Sequence, residues 1–274
     1  MRKNSRRNKV WSSALFLAST WMLSSVVASA QTATVTKPAS YDPSSAIEVS
    51  VGDGPTGVAS DGTNVWVTNQ FANSVMKIGG GGAVLGRFAV GKNPTGVASD
   101  GASVWVANSA SDTVTKLSLD GTVLGTFPAG NGPEAVLIVG DTVWVADEKG
   151  NTVTKLSAAG VVLGTYAVGD GPFGIAFDGK GVWVSNFFGG SVMKLNPADG
   201  TIVAKTLVGD GAAGIAVNGS DILVVTNGTN SVSILGADGA VFNRLKVGVS
   251  PYGLAVTPNG VWVTNSGSDS ISRR

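Results

Sequence analysis

DGTNVWVTN, residues 61–69, decides the fold: a tight-turn pair, then an apolar run centred on Trp66, then Asn69. Asp-Gly before a valine- and tryptophan-rich run is what a hairpin leading into a buried strand requires. Glycine takes the positive φ of the turn, and β-branched and aromatic side chains suit a packed, pleated surface. The stretch returns as DGASVWVAN at 100–108, GDTVWVAD at 140–147, GKGVWVSN at 179–186 and PNGVWVTN at 258–265, with LVVTN at 223–227 as a weaker copy.

The repeat has a register. A Val-Gly or Ala-Gly pair opens each unit at Val51, Val90, Ala129, Val168, Val208 and Val247, in steps of 39, 39, 39, 40 and 39 residues. Each unit holds four short β-type runs, such as GVAS, NVWVTN, SVMKI and AVLGRFA in the first, separated by Gly, Asn, Asp and Pro. No later stretch keeps a helical period, so the domain is expected to be all-β. Four strands per unit at this period fit a β-propeller, whose radial sheets are each covered on both faces. A parallel β-helix has shorter coils without regular hairpin turns. The sixth unit stops after its third strand, SISRR, while Ala46–Ser50 (AIEVS) precedes Val51 as a fourth strand would. The expectation is a six-bladed propeller whose last blade is closed by that N-terminal strand. A truncated seven-bladed ring is the alternative.

These residues resemble a known group. VWVTN, VWVAN, VWVSN and LVVTN, each preceded by a PxGxA-like strand, are similar to the YVTN-type propeller repeats and to the related streptogramin-lyase-like (virginiamycin B lyase-like) propellers. The resemblance spans Val51–Arg274. It implies a propeller fold, and for the lyase branch it implies opening of a cyclic depsipeptide at its ester with Mg²⁺ and a histidine. It does not fix an activity, because propellers carry many unrelated functions.

The first 30 residues read as an export signal: a basic start at Arg2, Lys3, Arg6, Arg7 and Lys9, an apolar middle, and Ala28-Ser29-Ala30 as the cleavage site. Residues 31–45 form a Thr-, Ser- and Pro-rich leader, and 46–274 one propeller domain. Removing the signal leaves 14 basic against 18 acidic residues, so the mature chain is acidic and has no basic stripe for nucleic acid. It contains no further apolar run suited to a membrane span. A periplasmic or extracellular monomer is expected. Cysteine is absent, which rules out disulfides and thiolate-held metal; histidine is absent too, which removes the usual proton carrier near neutral pH.

The repeated residues read as framework. Trp66, Trp105, Trp144, Trp183 and Trp262 are expected to fill the wedges between blades, with Val224 in that place in the fifth unit. Asn69, Asn108, Asp147, Asn186, Asn227 and Asn265 are expected to shape the following loop. Lys77, Lys116, Lys155 and Lys194 read as solvated outer positions. Function is sought where the copies differ. In the loop running into each first strand, one position is Thr56, Thr95, Glu134, Phe173, Ala213 and Tyr252; earlier in the same loop stand Asp53, Lys92, Asn131, Asp170, Asp210 and Val249. These loops and the TN loops share one mouth of the channel, where propeller-like folds bind ligands. The ligand-binding candidates are Glu134, Asp147, Phe173, Phe187, Phe188 and Tyr252, with Phe71 extending the surface. The functional expectation is an exported binding or scaffold propeller without catalytic residues, holding an unidentified small molecule or protein and needing no cofactor. The alternative is a lyase or metal-dependent lactonase, for which Mg²⁺ or Ca²⁺ on carboxylate and Asn oxygens would be the metal.

Overall fold

The computed structural model describes residues 48–274. They form six antiparallel sheets in simple meander order, with Pro55–Ser60, Asn64–Asn69, Ser74–Gly79 and Val84–Ala89 as the first blade. Among the described residues, the sixth sheet has three strands, Pro251–Thr257, Gly260–Asn265 and Ser270–Arg273. The innermost strands of successive blades, beginning at Pro55, Pro94, Pro133, Pro172, Ala212 and Pro251, pack side by side. The architecture is a six-bladed β-propeller. The closing strand expected over 46–50 falls partly outside the described residues, and the expected signal and leader lie wholly outside them; the described part of that strand, Glu48–Ser50, is in no sheet.

Blades are joined by contacts that all run forward along the chain. Trp66 packs with Val97 of the next blade's first strand, and the same lock recurs as Trp105 with Val136 and Trp183 with Ile215. Trp66, Trp105, Trp144 and Trp183 are fully buried, as a wedge-filling role requires. The lysines are not merely solvated, which corrects the sequence reading. Lys77, Lys116, Lys155 and Lys194 each lie 4.9–5.5 Å from the centre of their own blade's indole. Each ammonium then donates to a carbonyl of the next blade's outer hairpin: Leu119, Ala158, Pro197 and Ala237, at 2.6–2.9 Å. A cation over an aromatic face that also satisfies a carbonyl ties two blades at once.

The mouth is stitched in the same direction. Asn73, Asp112, Asn151 and Asn230 have left-handed backbone at φ 51–54°, a conformation Asn and Asp tolerate. Their Oδ1 atoms accept the N–H groups of Asn93, Gly132, Gly171 and Ser250 in the next blade's inbound loop.

The fifth blade corrects one alignment. Leu223 pairs with Ala216 as Trp66 pairs with Ala59, and Thr226 pairs with Ala212 as Asn69 pairs with Pro55. Leu223, not Val224, therefore takes the tryptophan's place, and Thr226, not Asn227, takes the asparagine's. Asn227 instead begins a 3-10 turn, Asn227–Thr229, and its Nδ2 donates to the Pro251 carbonyl at 3.1 Å.

Candidate functional site: the channel mouth

One face of the ring carries the inbound loops and the loops between second and third strands, held together by a recurring pair of backbone bonds. Gln70 N–H donates to Gly54 and Phe71 N–H to Asp53 in blade one; Ser109 to Asn93, Glu148 to Gly132, Phe187 to Gly171, Asn227 to Gly211 and Ser266 to Ser250 repeat the motif. The buried asparagines clamp these loops from within. Asn69, Asn186 and Asn265 accept the N–H of Gly52, Gly169 and Gly248 at 2.8–3.0 Å.

Asp147 belongs to that clamp and not to a ligand surface. Its Oδ1 accepts Gly130 N–H at 3.1 Å, and its Oδ2 accepts the Thr152 and Thr154 hydroxyls at 3.1 and 2.7 Å. Burial pushes its carboxyl up to about 6, against the pull of those hydrogen bonds. Phe188 has a structural part too, and its ring meets Phe187 edge to face at 5.3 Å. It covers the left-handed Gly171 while remaining 65% exposed, as Phe71 covers Gly54 and the Lys149 stem covers Gly132.

The other four candidates converge. In each first strand the ladder skips at the variable position, as between Pro172 and Gly174, so Phe173 stands in a bulge; Glu134 does likewise between Pro133 and Ala135. A bulge re-aims its side chain, here toward the channel axis. Thr56 and Thr95 close their part of the ring by donating to the Pro94 and Pro133 carbonyls, both at 3.1 Å. Beyond them, Ala213 is small enough for Phe173 and Tyr252, two blades apart, to meet edge to face at 5.1 Å. Phe187 lies 6.0 Å from Phe173 and 6.2 Å from Tyr252. Such packing is favourable beyond its area alone.

Glu134, 3% exposed, is near enough to the plug to act on the Tyr252 phenol, and its Oε1 has no partner; the Tyr252 hydroxyl is also buried without one. Asn69 Nδ2, Ser74 Oγ and Asn108 Oδ1 are unpartnered too, but they belong to the asparagine clamps. Burial drives the Glu134 carboxyl up to about 8, Glu148 opposes its ionisation further and Lys149 favours it. Burial also raises the Tyr252 phenol, reinforced by Glu134 and Glu148. Glu148, raised by its own burial, holds in blade three the place that Phe187 holds in blade four, directly after the clamp residue. The exposed rim is acidic: Asp53, Asp112, Asp170, Asp210 and Asp269 are set against Lys92 and Lys149. Beside Tyr252, a cavity of about 430 Å³ opens between Thr264, Asn265, Asp269 and Ile271. Among the described residues, no three His, Cys, Asp or Glu side chains gather to hold a metal ion, and no helix is long and apolar enough to cross a membrane.

Known structures share this architecture. The chain is similar to virginiamycin B lyase from Staphylococcus aureus, in a catalytically inactive histidine-to-alanine form with quinupristin, at TM-score 0.72 and 19% identity over 80% of each chain. It is similar to a streptogramin B lyase at TM-score 0.61 and 17% identity, over 81% of this chain and 94% of that one. It also resembles BamB from Moraxella catarrhalis at TM-score 0.61 and 15% identity, over 78% and 70%. The likeness is one of fold. No family model and no curated protein matches the chain, so membership of the YVTN family stays at the level of sequence resemblance.

Proposed function

We propose that this protein is an exported binding propeller that holds its ligand or partner at the loop-bearing mouth and carries out no chemistry on it. The observation that carries the reading is the pair of buried, unpartnered polar atoms, Glu134 Oε1 and Tyr252 Oη, set at the mouth with Phe173 and Phe187 where the six copies differ. An unmade hydrogen bond costs about 1–3 kcal/mol, a penalty that a bound group would remove. The absence of histidine weighs against the lyase alternative, since the neighbouring lyase is described as inactive once a histidine is replaced. Glu134 has a raised carboxyl that suits general acid–base work, as has Asp147, but Asp147 is committed to Gly130, Thr152 and Thr154, and among the described residues no activated nucleophile stands beside Glu134.

Incubating purified protein with cyclic depsipeptides and lactones, with and without Mg²⁺ or Ca²⁺, is expected to give no ester opening above background. Turnover abolished by Glu134→Gln would overturn the non-catalytic reading. Export rests on the basic, apolar and Ala-Ser-Ala order of residues 1–30. It predicts mature protein beginning at Gln31 outside the cytoplasm.

A further inference from the structure

We infer that the mouth selects a primary organic ammonium with an aromatic or apolar body, its charged head held between Glu134, Glu148 and the Tyr252 hydroxyl. This inference rests on the mouth being the binding site and adds the class of ligand. Three separate observations support it.

The first is the hydrogen-bonding inventory. Glu134 Oε1 and Tyr252 Oη are both buried and unpartnered at the same mouth. A primary ammonium carries three donors and no acceptor, so one head group can satisfy a carboxylate, a second carboxylate and a phenol oxygen. A quaternary ammonium has no donor and would leave those atoms as they are. An anion would be opposed by the acidic rim, which outnumbers Lys92 and Lys149.

The second is charge. Around the plug, the exposed rim and Glu148 together set six acids against Lys92 and Lys149, a field that favours cations and raises their on-rate. The charged groups acting on Glu134 are Glu148 and Lys149, and Tyr252 approaches from blade six; Asp147, on the adjoining strand, is committed to Gly130, Thr152 and Thr154.

The third is shape. The faces of Phe173, Phe187 and Tyr252 supply apolar and cation–π contact. The cavity of about 430 Å³ is lined by blade six alone, shares Tyr252 with the plug, and has room for the body of an arylalkylamine beside it.

Binding of this kind has a proton signature. Without a ligand, burial keeps Glu134 largely protonated at pH 7, and an ammonium placed against it favours the carboxylate. The amine should therefore displace close to one proton on binding at pH 7, and it should bind more tightly as pH rises from 6 to 8.

Calorimetry with 2-phenylethylamine and its neutral counterpart 2-phenylethanol, in two buffers of different ionisation enthalpy, tests this on the wild type, Glu134→Gln and Phe187→Ala. The amine is expected to bind at least tenfold more tightly than the alcohol and to release a proton. Glu134→Gln should lose that preference without any loss of thermal stability, and Phe187→Ala should weaken both probes. Equal binding of amine and alcohol, weakened by Phe187→Ala, would overturn the ammonium inference and leave the mouth as the site. Binding untouched by either substitution, or no binding of the amine, would overturn the inference as well. The turnover assay judges the non-catalytic reading separately.

Discussion

Asp147 and Glu134 show how a buried carboxyl can be held in two ways. Asp147 sits where four of the other blades carry Asn, and its Oδ2 receives two threonine hydroxyls, whereas Asn108 Nδ2 donates to Thr113 and Thr115 in the same geometry. Its folded carboxyl, at about 6, lies above its ordinary 3.8, so the folded state binds the proton more tightly than the unfolded one. That stability is fully present below about pH 3.8 and is lost as pH rises through about 6. Asp147→Asn should accordingly stabilise the protein at pH 7 by on the order of 2–3 kcal/mol, with the gain vanishing near pH 4, as read by urea denaturation across pH. Glu134→Gln should follow the same sign over the wider window from 4.5 to about 8. Of the six candidates picked from sequence, Glu134, Phe173, Phe187 and Tyr252 meet at the mouth, Phe188 touches them at the edge through Phe187 at 5.3 Å, and Asp147 is held in the clamp. Variation between copies flagged all of them alike. It does not distinguish a side chain re-aimed by a bulge from one covering a glycine turn, since that difference lies in register.

At the level of the strand, the lysine strap is the feature the sequence concealed. A lysine on a strand carries no mark of its partner when that partner is a carbonyl 42 residues away. Lys155 is the most buried of the four and donates to two carbonyls, Pro197 and Ala198. Lys155→Met should therefore cost about 1–3 kcal/mol by chemical denaturation, and Lys116→Met, whose bond to Ala158 is exposed, clearly less. The fifth-blade alignment was within reach. Gly54 to Asn69 is 15 residues, and the same count from Gly211 arrives at Thr226, so spacing marks the structural place where the TN pair misleads. The fold itself was legible because the 39-residue step, the Asp-Gly turns and the tryptophan runs all pointed to the same four-stranded unit.

Across the whole molecule, the wedge contacts change where the sequence of blades begins and ends. Trp262 is 36% exposed while its four counterparts are fully buried, and Val58 is 45% exposed while Val97, its equivalent one blade on, is buried under Trp66. Trp183→Ala should cost roughly 3–5 kcal/mol, as loss of a large core side chain does, and Trp262→Ala less than half of that, compared by denaturant unfolding. Amides of the sixth sheet should also exchange faster than those of blades two to four, because that sheet lacks a fourth strand among the described residues. The tryptophan, lysine and Asn73-type links all point from one blade to the next, so a blade behaves as a head-to-tail subunit with a donor side and an acceptor side. Blade six presents a donor side at Trp262, and blade one an acceptor side at Val58. Blade number is thus not written into any single unit. A copy of blade two or three inserted between Arg274 and Val51 in a circularly permuted gene is expected to dock by the same one-way links, its acceptor side on Trp262 and its donor side on Val58, because each link needs only the two blades that share it.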